Sequence, residues 1–236
     1  MSQIDPAQVV SALATVRSRI AAACARSGRD PRSIDILAVT KGFGPSAPEA
    51  AIAAGLTDIG ENYYQEATEK FDLVRWPKGI ARHFIGRVQR NKARRIVATF
   101  DVVQTVDDLA VAQALDDAAA AEHKSLSVLV QLNAVGDERQ GLAPGDLADF
   151  VSALRARSNL RVRGIMAMGP RDPAATAEAF ARAAACFEEV RLVHSEFDTL
   201  SMGMSDDLEL AVAAGSTMLR IGTALFGVRS PSTNAP

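Results

Sequence analysis

The sequence predicts an α/β fold, namely a single (β/α)8 TIM-like barrel with an extra N-terminal helix. Three observations lead to this prediction. Eight short apolar stretches rich in β-branched residues read as strands that are buried on both faces, as in a parallel sheet. Helical patterns alternate with these stretches along the chain. The length of 236 residues suits one barrel of this kind.

The first element is a helix that begins near Asp5. Asp5 is a good N-cap residue, and Pro6 suits the first helical position. Gly28 is a residue on which such a helix commonly ends. One face of the predicted helix is apolar, and its residues are Val9, Leu13, Val16, Ile20 and Cys24.

Strands and helices alternate after this first helix. The predicted strands are residues 34–40, 57–60, 83–86, 102–106, 126–132, 162–168, 199–203 and 218–222. The predicted helices between them are residues 47–54, 64–73, 107–121, 147–155, 174–193 and 206–214. Ser46 and Glu49 have capping-box spacing at the start of one helix. Eight strands favour a closed barrel over an open sheet.

The domain organisation is simple. Residues 1–228 are predicted to form one barrel domain, because no linker or low-complexity tract divides them. The tail, residues 229–236, is short and polar and is predicted to be disordered.

The composition excludes several classes of protein. A hydrophobic fraction of 48% allows a large core, and a net charge of −2 provides no field that would attract nucleic acid or an anionic membrane. The N-terminus lacks a secretion signal, and no apolar run is long enough to cross a bilayer. Cys24 and Cys186 form no metal-binding or disulfide pattern. We therefore expect a cytoplasmic protein.

Lys41 is the first candidate site residue. It follows the apolar strand 34–40 and precedes Gly42, so its amine lies at the carboxyl end of a strand, where parallel α/β folds build their active sites. Burial there would favour the neutral amine, which can form a Schiff base with a carbonyl compound. A lysine that extends from a strand end into solvent is the alternative interpretation.

Two loops after the last strands resemble phosphate-binding segments. Barrel enzymes often hold a phosphate after strands seven and eight, and here those positions are residues 200–206 and 220–224. Each segment offers a hydroxyl group, a glycine and turn N–H groups, and Arg220 adds a cation. A lysine with a phosphate site suggests a phosphorylated aldehyde. Pyridoxal 5′-phosphate (PLP) and the substrates of sugar-phosphate aldolases both fit that description.

Six segments carry a resemblance to a known family. They are residues 38–41, 60–66, 83–92, 164–168, 200–205 and 220–223. These segments resemble the YggS/PROSC family of pyridoxal phosphate homeostasis proteins, in the same order and over almost the whole chain. The resemblance implies a fold-type III PLP barrel, similar to the N-terminal domain of alanine racemase.

The resemblance also implies roles for individual residues. Lys41 would bind PLP as a Schiff base, Arg220 would face the pyridine nitrogen, and Asn62 would lie beside the ring. Ser201 would hold the phosphate. The residues implied to hold the phosphate with it are Gly222 and Thr223, and Ser205 is an alternative to Ser201.

His83 and the basic segment 87–95 are two further features of the sequence. His83 begins a predicted strand, so we expect a structural histidine at the bottom of the barrel, bonded to backbone groups. The basic segment 87–95 lacks the interleaved aromatic residues of a nucleic-acid site, and it is either a second anion site or a solvated helix face. Val88 stands where the family usually has leucine.

A carrier and an enzyme remain as functional classes. The family resemblance implies a PLP-binding protein that supports vitamin B6 and amino-acid homeostasis and hands PLP to apoenzymes. A PLP-dependent racemase is the alternative, but proton transfer on both faces of the cofactor needs two positioned groups, and only Lys41 is identified. The chain ends soon after the eighth predicted strand, so we expect no second domain. We further expect a monomer with no bound metal. A sugar-phosphate aldolase that uses Glu61 as a base is a third alternative function.

Overall fold

Eight parallel strands form the centre of the molecule and confirm the predicted barrel. The computed structural model describes residues 3–228, so the tail prediction for 229–236 lies outside the described residues. The strands pair in sequence order, and β8 closes on β1. They are β1 (Asp35–Val39), β2 (Asp58–Glu61), β3 (Ala81–Phe84), β4 (Val102–Val106), β5 (Leu126–Leu132), β6 (Leu160–Ala167), β7 (Thr199–Ser201) and β8 (Met218–Ile221).

Helices surround this barrel. They are α1 (Pro6–Ser27), α2 (Ser46–Ala53), α3 (Tyr64–Phe71), α4 (Ala93–Thr99), α5 (Leu109–Ala121), α6 (Leu147–Arg155), α7 (Pro173–Val193), α8 (Leu208–Ala213) and α9 (Thr223–Phe226). The helices α4 and α9 were not among the predicted ones. Both are short, so their hydrophobic periodicity is hard to detect in the sequence.

The extra N-terminal helix is present, with the predicted ends. The carboxylate of Asp5 accepts a hydrogen bond of 2.9 Å from the N–H of Ala7, and Pro6 is the first helical residue. Gly28 ends the helix with φ at 66°, a conformation that favours glycine. The apolar face of α1 is buried and packs against α2, α8 and α9. Helix α1 therefore packs against both the first and the last helices of the barrel.

The capping-box prediction for α2 was wrong. Pro45 occupies the N-cap position, and no side chain caps this helix. The hydroxyl of Ser46 instead accepts a hydrogen bond of 3.0 Å from the N–H of Ile4. Ser46 therefore ties the segment before α1 to the start of α2, a long-range contact that local spacing cannot indicate.

Side chains alternate between two interiors along each strand. One set packs against the helices and forms the main hydrophobic core, with Ile59, Val103 and Leu219 among its fully buried members. The other set points into the barrel. On β1 the inward set includes Leu37 and Val39, and this alternation carries Lys41 to the carboxyl end of the barrel.

No helix in residues 3–228 is both long and apolar enough to cross a membrane.

Candidate functional site

A small cavity of about 200 Å³ opens at the carboxyl ends of the strands. Strands β1, β6 and β8 and the segments that follow β2, β3 and β7 contribute to its lining. Larger cavities of about 580 Å³ and 710 Å³ lie elsewhere, against residues at the amino ends of strands. We choose the candidate site by the chemistry of the lining, because the cavity of about 200 Å³ brings together an amine, a buried guanidinium and hydroxyl groups, whereas these two larger ones contain no lysine. Its lining residues are Val39, Lys41, Phe43, Asn62, Ile85, Met166, Met168, Met204, Ser205, Asp206, Arg220, Gly222 and Thr223.

Five of the six predicted site residues line this cavity. They are Lys41, Asn62, Arg220, Gly222 and Thr223. The sixth, Ser201, lies deeper in the barrel and is not part of the lining. Ser205, the alternative to Ser201 as a phosphate ligand, does line the cavity.

The backbone on both sides of Lys41 is fixed by hydrogen bonds. The carbonyl of Thr40 accepts a bond of 2.8 Å from the buried amine of Lys70 on α3. The N–H of Gly42 donates a bond of 2.6 Å to the carboxylate of Glu66, which also contacts Lys70 at 3.0 Å. Helix α3 therefore holds the turn that presents Lys41 to the cavity.

A fully buried carboxylate completes this cluster. Glu61 contacts the amine of Lys70 at 2.6 Å and accepts a bond of 2.6 Å from the hydroxyl of Thr40. Burial raises the pKa of Glu61, and the charge of Lys70 opposes that effect. The second oxygen, Oε2, has no hydrogen-bond partner among residues 3–228. Because Glu61 points toward α3 and does not line the cavity, it is not placed to act as an aldolase base.

Arg220 brings a buried cation to the floor of the cavity. Its Nη1 atom donates to the carbonyl of Ser201 at 2.8 Å and to the hydroxyl of Ser201 at 3.0 Å, and its Nη2 atom donates to the carbonyl of Ala167 at 3.0 Å. Complete burial lowers the pKa of Arg220 to about 10, although nearby Asp207 opposes the shift. The guanidinium is therefore still charged at neutral pH. Among residues 3–228 it forms no salt bridge.

The loop after β7 and the start of α9 form a polar rim. The hydroxyl of Ser205 accepts a hydrogen bond of 3.1 Å from the N–H of Ala224, so it spans the two segments. A Cβ atom at Gly222 would lie 3.3 Å from the carbonyl oxygen of Val39, so the glycine allows β8 to approach β1 closely. Hydroxyl groups and the N–H groups of a turn are common ligands of a phosphate group.

Asn62 reaches the cavity because two strands approach closely at this point. A Cβ atom at Gly86 would lie only 1.9 Å from the carbonyl oxygen of Asn62, so no larger residue fits at Gly86 without a backbone shift. Glycine at that position therefore fixes the distance between the segments that follow β2 and β3.

His83 is structural, but its partners differ from those expected. It is buried inside the barrel and does not line the cavity. Its two ring nitrogens contact side chains, Asp58 at 2.9 Å and Gln104 at 2.9 Å, and not backbone groups. Sequence reasoning missed both partners. The available signal was Gln104, a long polar side chain in a strand that otherwise contains three valines and Thr105.

The basic segment 87–95 lies beside the cavity without lining it. Arg87 and Lys92 line a neighbouring pocket of about 140 Å³, which shares only Asn62 with the candidate site. Arg94 lies 3.6 Å from Glu122 and is largely exposed. The geometry leaves both interpretations of this segment open.

Comparison with known proteins identifies the family. The pyridoxal phosphate homeostasis protein of Escherichia coli (strain K12) is 42% identical over 226 residues, which span 93% of this chain and 96% of the relative. The corresponding protein of Pseudomonas aeruginosa is 44% identical over 223 residues, which span 92% of this chain and 94% of the relative. The chain belongs to the pyridoxal phosphate homeostasis protein family. The resemblance found in the sequence is thus confirmed.

Two further comparisons agree with membership of the pyridoxal phosphate homeostasis protein family. A family profile described as "Alanine racemase, N-terminal domain" matches residues 12–230. The structure of PipY from Synechococcus elongatus PCC7942 with PLP bound has a TM-score of 0.80 and 34% sequence identity, and the match covers 93% of this chain and all of that chain. The fold-type III barrel of the family is therefore the fold of this chain.

Proposed function

We propose that this chain binds PLP covalently at Lys41 and holds it for intracellular PLP and amino-acid homeostasis. One observation carries the proposal. Lys41, Arg220 and the hydroxyl groups of Ser205 and Thr223 meet in one cavity, in a chain that belongs to a family with a PLP-bound member. An amine, a cation and a phosphate-binding rim are the groups that an aldehyde, a pyridine nitrogen and a phosphate require.

The residues of the cavity fit the cofactor in three places. The amine of Lys41 would hold the aldehyde carbon as a Schiff base, with loss of water. Val39, Met166 and Phe43 provide apolar surface for a ring. Arg220 is buried and has no carboxylate partner in the described part of the chain, so it can donate to the ring nitrogen.

We assign the phosphate to the rim of the cavity. Ser205 lines the cavity, and its own O–H has no acceptor among residues 3–228, so it can donate to a phosphate oxygen. Gly222 and Thr223 supply backbone N–H groups, and Thr223 supplies a hydroxyl. Ser201 was the first candidate for this role, but its hydroxyl already binds Arg220 and Gln104.

The positive charge of Arg220 beside the pyridine ring favours a protein that binds and holds PLP over one that catalyses a reaction with it. When bound, PLP supplies an electron sink, and that sink is strongest when its ring nitrogen is protonated. Arg220 cannot give up a proton easily, and as a cation it disfavours a protonated nitrogen beside it. Asp206 is the other titratable side chain of the lining, and neither Tyr63 nor Tyr64 lines it. A racemase-like side activity is the second candidate function, because Lys41 alone can act on one face of the ring.

The remaining assignments extend this proposal. We infer a cytoplasmic monomer of one barrel domain that passes PLP to PLP-dependent apoenzymes. The cytoplasmic assignment is supported by Cys24 and Cys186, which are both free thiols.

The first test is covalent attachment. Purified protein incubated with PLP should show a visible absorption band. Borohydride should remove this band, because it reduces the C=N bond to a stable secondary amine, and peptide mapping should then find the label on Lys41. Lys41→Ala should abolish the band, whereas Lys78→Ala, an exposed control, should retain it. A wild-type protein that stays colourless, or a label on another lysine, would refute the assignment.

The second test separates a carrier from an enzyme. The loaded protein is mixed with an apoenzyme that requires PLP, and recovery of that enzyme's activity is followed. In parallel, racemisation of several amino acids is measured. Transfer without racemisation supports a carrier, and turnover that Lys41→Ala abolishes supports the second candidate.

A further inference from the structure

A chain of buried polar side chains crosses the interior of the barrel and ends at Arg220. The hydroxyl of Ser201 lies 3.0 Å from Nη1 of Arg220 and 2.8 Å from Oε1 of Gln104. Nε2 of Gln104 lies 2.9 Å from Nδ1 of His83, and Nε2 of His83 lies 2.9 Å from Asp58. Five different strands thus contribute one residue each.

The donors and acceptors of this chain fit in one direction. Arg220 can only donate, so the hydroxyl of Ser201 accepts from it and donates to Oε1 of Gln104. The amide of Gln104 then donates to Nδ1 of His83, which leaves the proton of the neutral ring on Nε2. That proton is donated to the carboxylate of Asp58. Every donor therefore points from the cofactor site toward Asp58.

Burial makes each of these bonds matter. His83 is 3% exposed, Gln104 and Ser201 are fully buried, and Arg220 is 5% exposed. Aligned hydrogen bonds in such surroundings strengthen one another, and a broken one leaves a buried group unpaired. Burial opposes the ionisation of Asp58, but the hydrogen bonds from His83 and Thr57 hold the pKa of its carboxyl below the usual value. The chain therefore ends on a carboxylate.

The stability of the fold alone does not explain why these five hydrogen-bonded polar side chains lie inside the barrel. Barrel interiors are usually filled by branched apolar residues, and well-packed apolar side chains can replace buried polar groups at little or no loss of stability. Arg220 has no contacting carboxylate within residues 3–228, so the negative charge in this chain of bonds lies at its far end.

We propose that Ser201, Gln104, His83 and Asp58 are positioning residues that orient Arg220 toward the ring nitrogen of PLP. The inference rests on the proposed function. It gives Ser201 a role in orienting the guanidinium in place of phosphate binding. It also gives a role to His83, which lies outside the cavity. A loss of any bond in the chain should loosen Arg220 and weaken its contact with the cofactor.

The first experiment uses the protein without cofactor. The sequence contains three histidines, so the imidazole nitrogens of His83 can be assigned by nitrogen-15 NMR. His83 should be a neutral ring with its proton on Nε2. Ser201→Ala should shift the His83 resonances although Ser201 makes no hydrogen bond to His83. Ser216→Ala is the matched control, because Ser216 is also a fully buried serine of this region whose hydroxyl contacts only backbone carbonyls.

The second experiment uses the cofactor. Gln104→Leu should raise the dissociation constant for PLP about tenfold, because the hydroxyl of Ser201 loses its acceptor and no longer has a fixed orientation in which to accept from Arg220. It should also reduce the circular dichroism that the protein induces in the visible band of bound PLP. Ser201→Ala, a smaller change, should act in the same direction. Ser216→Ala should leave both quantities at their wild-type values.

The outcomes separate the two proposals. If Gln104→Leu and Ser201→Ala bind PLP with wild-type affinity and wild-type circular dichroism, the positioning role is overturned. If the His83 ring is protonated on Nδ1, or if Ser201→Ala leaves its resonances unchanged, the proposed series of hydrogen bonds from Arg220 to Asp58 is wrong. If the wild-type protein takes up no PLP, the proposed function fails and the positioning role falls with it, while NMR still decides whether the chain exists.

Discussion

Lys70 offers the most informative single perturbation of the cofactor site. Its amine is 2.6 Å from a carboxylate oxygen of Glu61, and both side chains are almost completely buried. At that distance and an effective dielectric constant of about 20, their attraction is about 6 kcal/mol before the cost of removing both charges from water. Lys70→Met keeps the apolar stem but leaves the carboxylate of Glu61 buried and unpaired.

We expect Lys70→Met to lower the free energy of unfolding by about 3–5 kcal/mol at neutral pH, as is usual when one partner of a buried ion pair is removed. For a chain of this length that loss corresponds to a decrease in Tm on the order of 10 °C. Glu61→Leu combined with Lys70→Met should recover most of the loss, because the remaining carboxylate of Glu66 is partly exposed and still accepts a hydrogen bond from Gly42. Glu66→Gln is the control, since Glu66 is partly exposed and its removal should cost less than about 1 kcal/mol.

The pH dependence of this variant follows from the raised pKa of Glu61. Without Lys70 that pKa rises further, so the folded state binds a proton that the unfolded state releases above about pH 4.3. The deficit of Lys70→Met relative to wild type should therefore be small near pH 4 and grow as the pH rises. Urea unfolding at several pH values measures it. A deficit below about 1 kcal/mol at neutral pH, or a double variant as unstable as the single one, would refute this reasoning.

Three further predictions concern the cavity. Ser205→Ala should raise the dissociation constant for PLP at least about tenfold but leave binding of pyridoxal, which lacks the phosphate, unchanged; equal effects on both ligands would contradict the phosphate assignment. Gly86→Ala should lower the free energy of unfolding by about 3 kcal/mol in urea titrations, because its Cβ atom would overlap the carbonyl of Asn62, whereas Gly145→Ala meets no atom within 4 Å and should be nearly neutral. Arg220→Met should weaken PLP binding by at least about tenfold while costing less stability than the Lys70 variant, and the reverse ranking in the same two assays would argue against a ligand-binding role for this cation.

The sequence predicts the position of a site residue best where strand periodicity decides it. Lys41 lies two residues after the end of β1, and Arg220 lies within β8, so alternation and strand order bring both to one end of a closed barrel. The same rule does not separate Ser201 from Ser205. The difference depends on where β7 ends, and element boundaries are the least certain feature of a sequence-based prediction.

Contacts that depend on three-dimensional packing cannot be predicted from local sequence patterns. Lys70 and Glu66 have the spacing of an ordinary pair on a helix surface, yet α3 is rotated so that Lys70 is buried against Glu61. The chain from Arg220 to Asp58 joins residues of five strands, so no local pattern contains it. Gln104 could have indicated a polar interior, because its long amide side chain lies in a buried strand whose other residues are three valines and Thr105.

The two buried cations near the cavity are balanced in opposite ways. Lys70 has a carboxylate in direct contact, so its charge is neutralised where it stands and its amine is fully committed to Glu61, Glu66 and the carbonyl of Thr40. Among residues 3–228 Arg220 contacts only neutral acceptors. Asp207 is near enough to act on its charge but does not contact it, and the carboxylate of Asp58 is reached through three intervening side chains. Electrostatic attraction falls with distance, so the guanidinium keeps an electropositive edge that an incoming acceptor can use. A buried cation with a carboxylate in direct contact stabilises the fold, whereas a buried cation without one can still donate hydrogen bonds to a ligand. This difference is the physical reason to place Arg220, and not Lys70, against the cofactor.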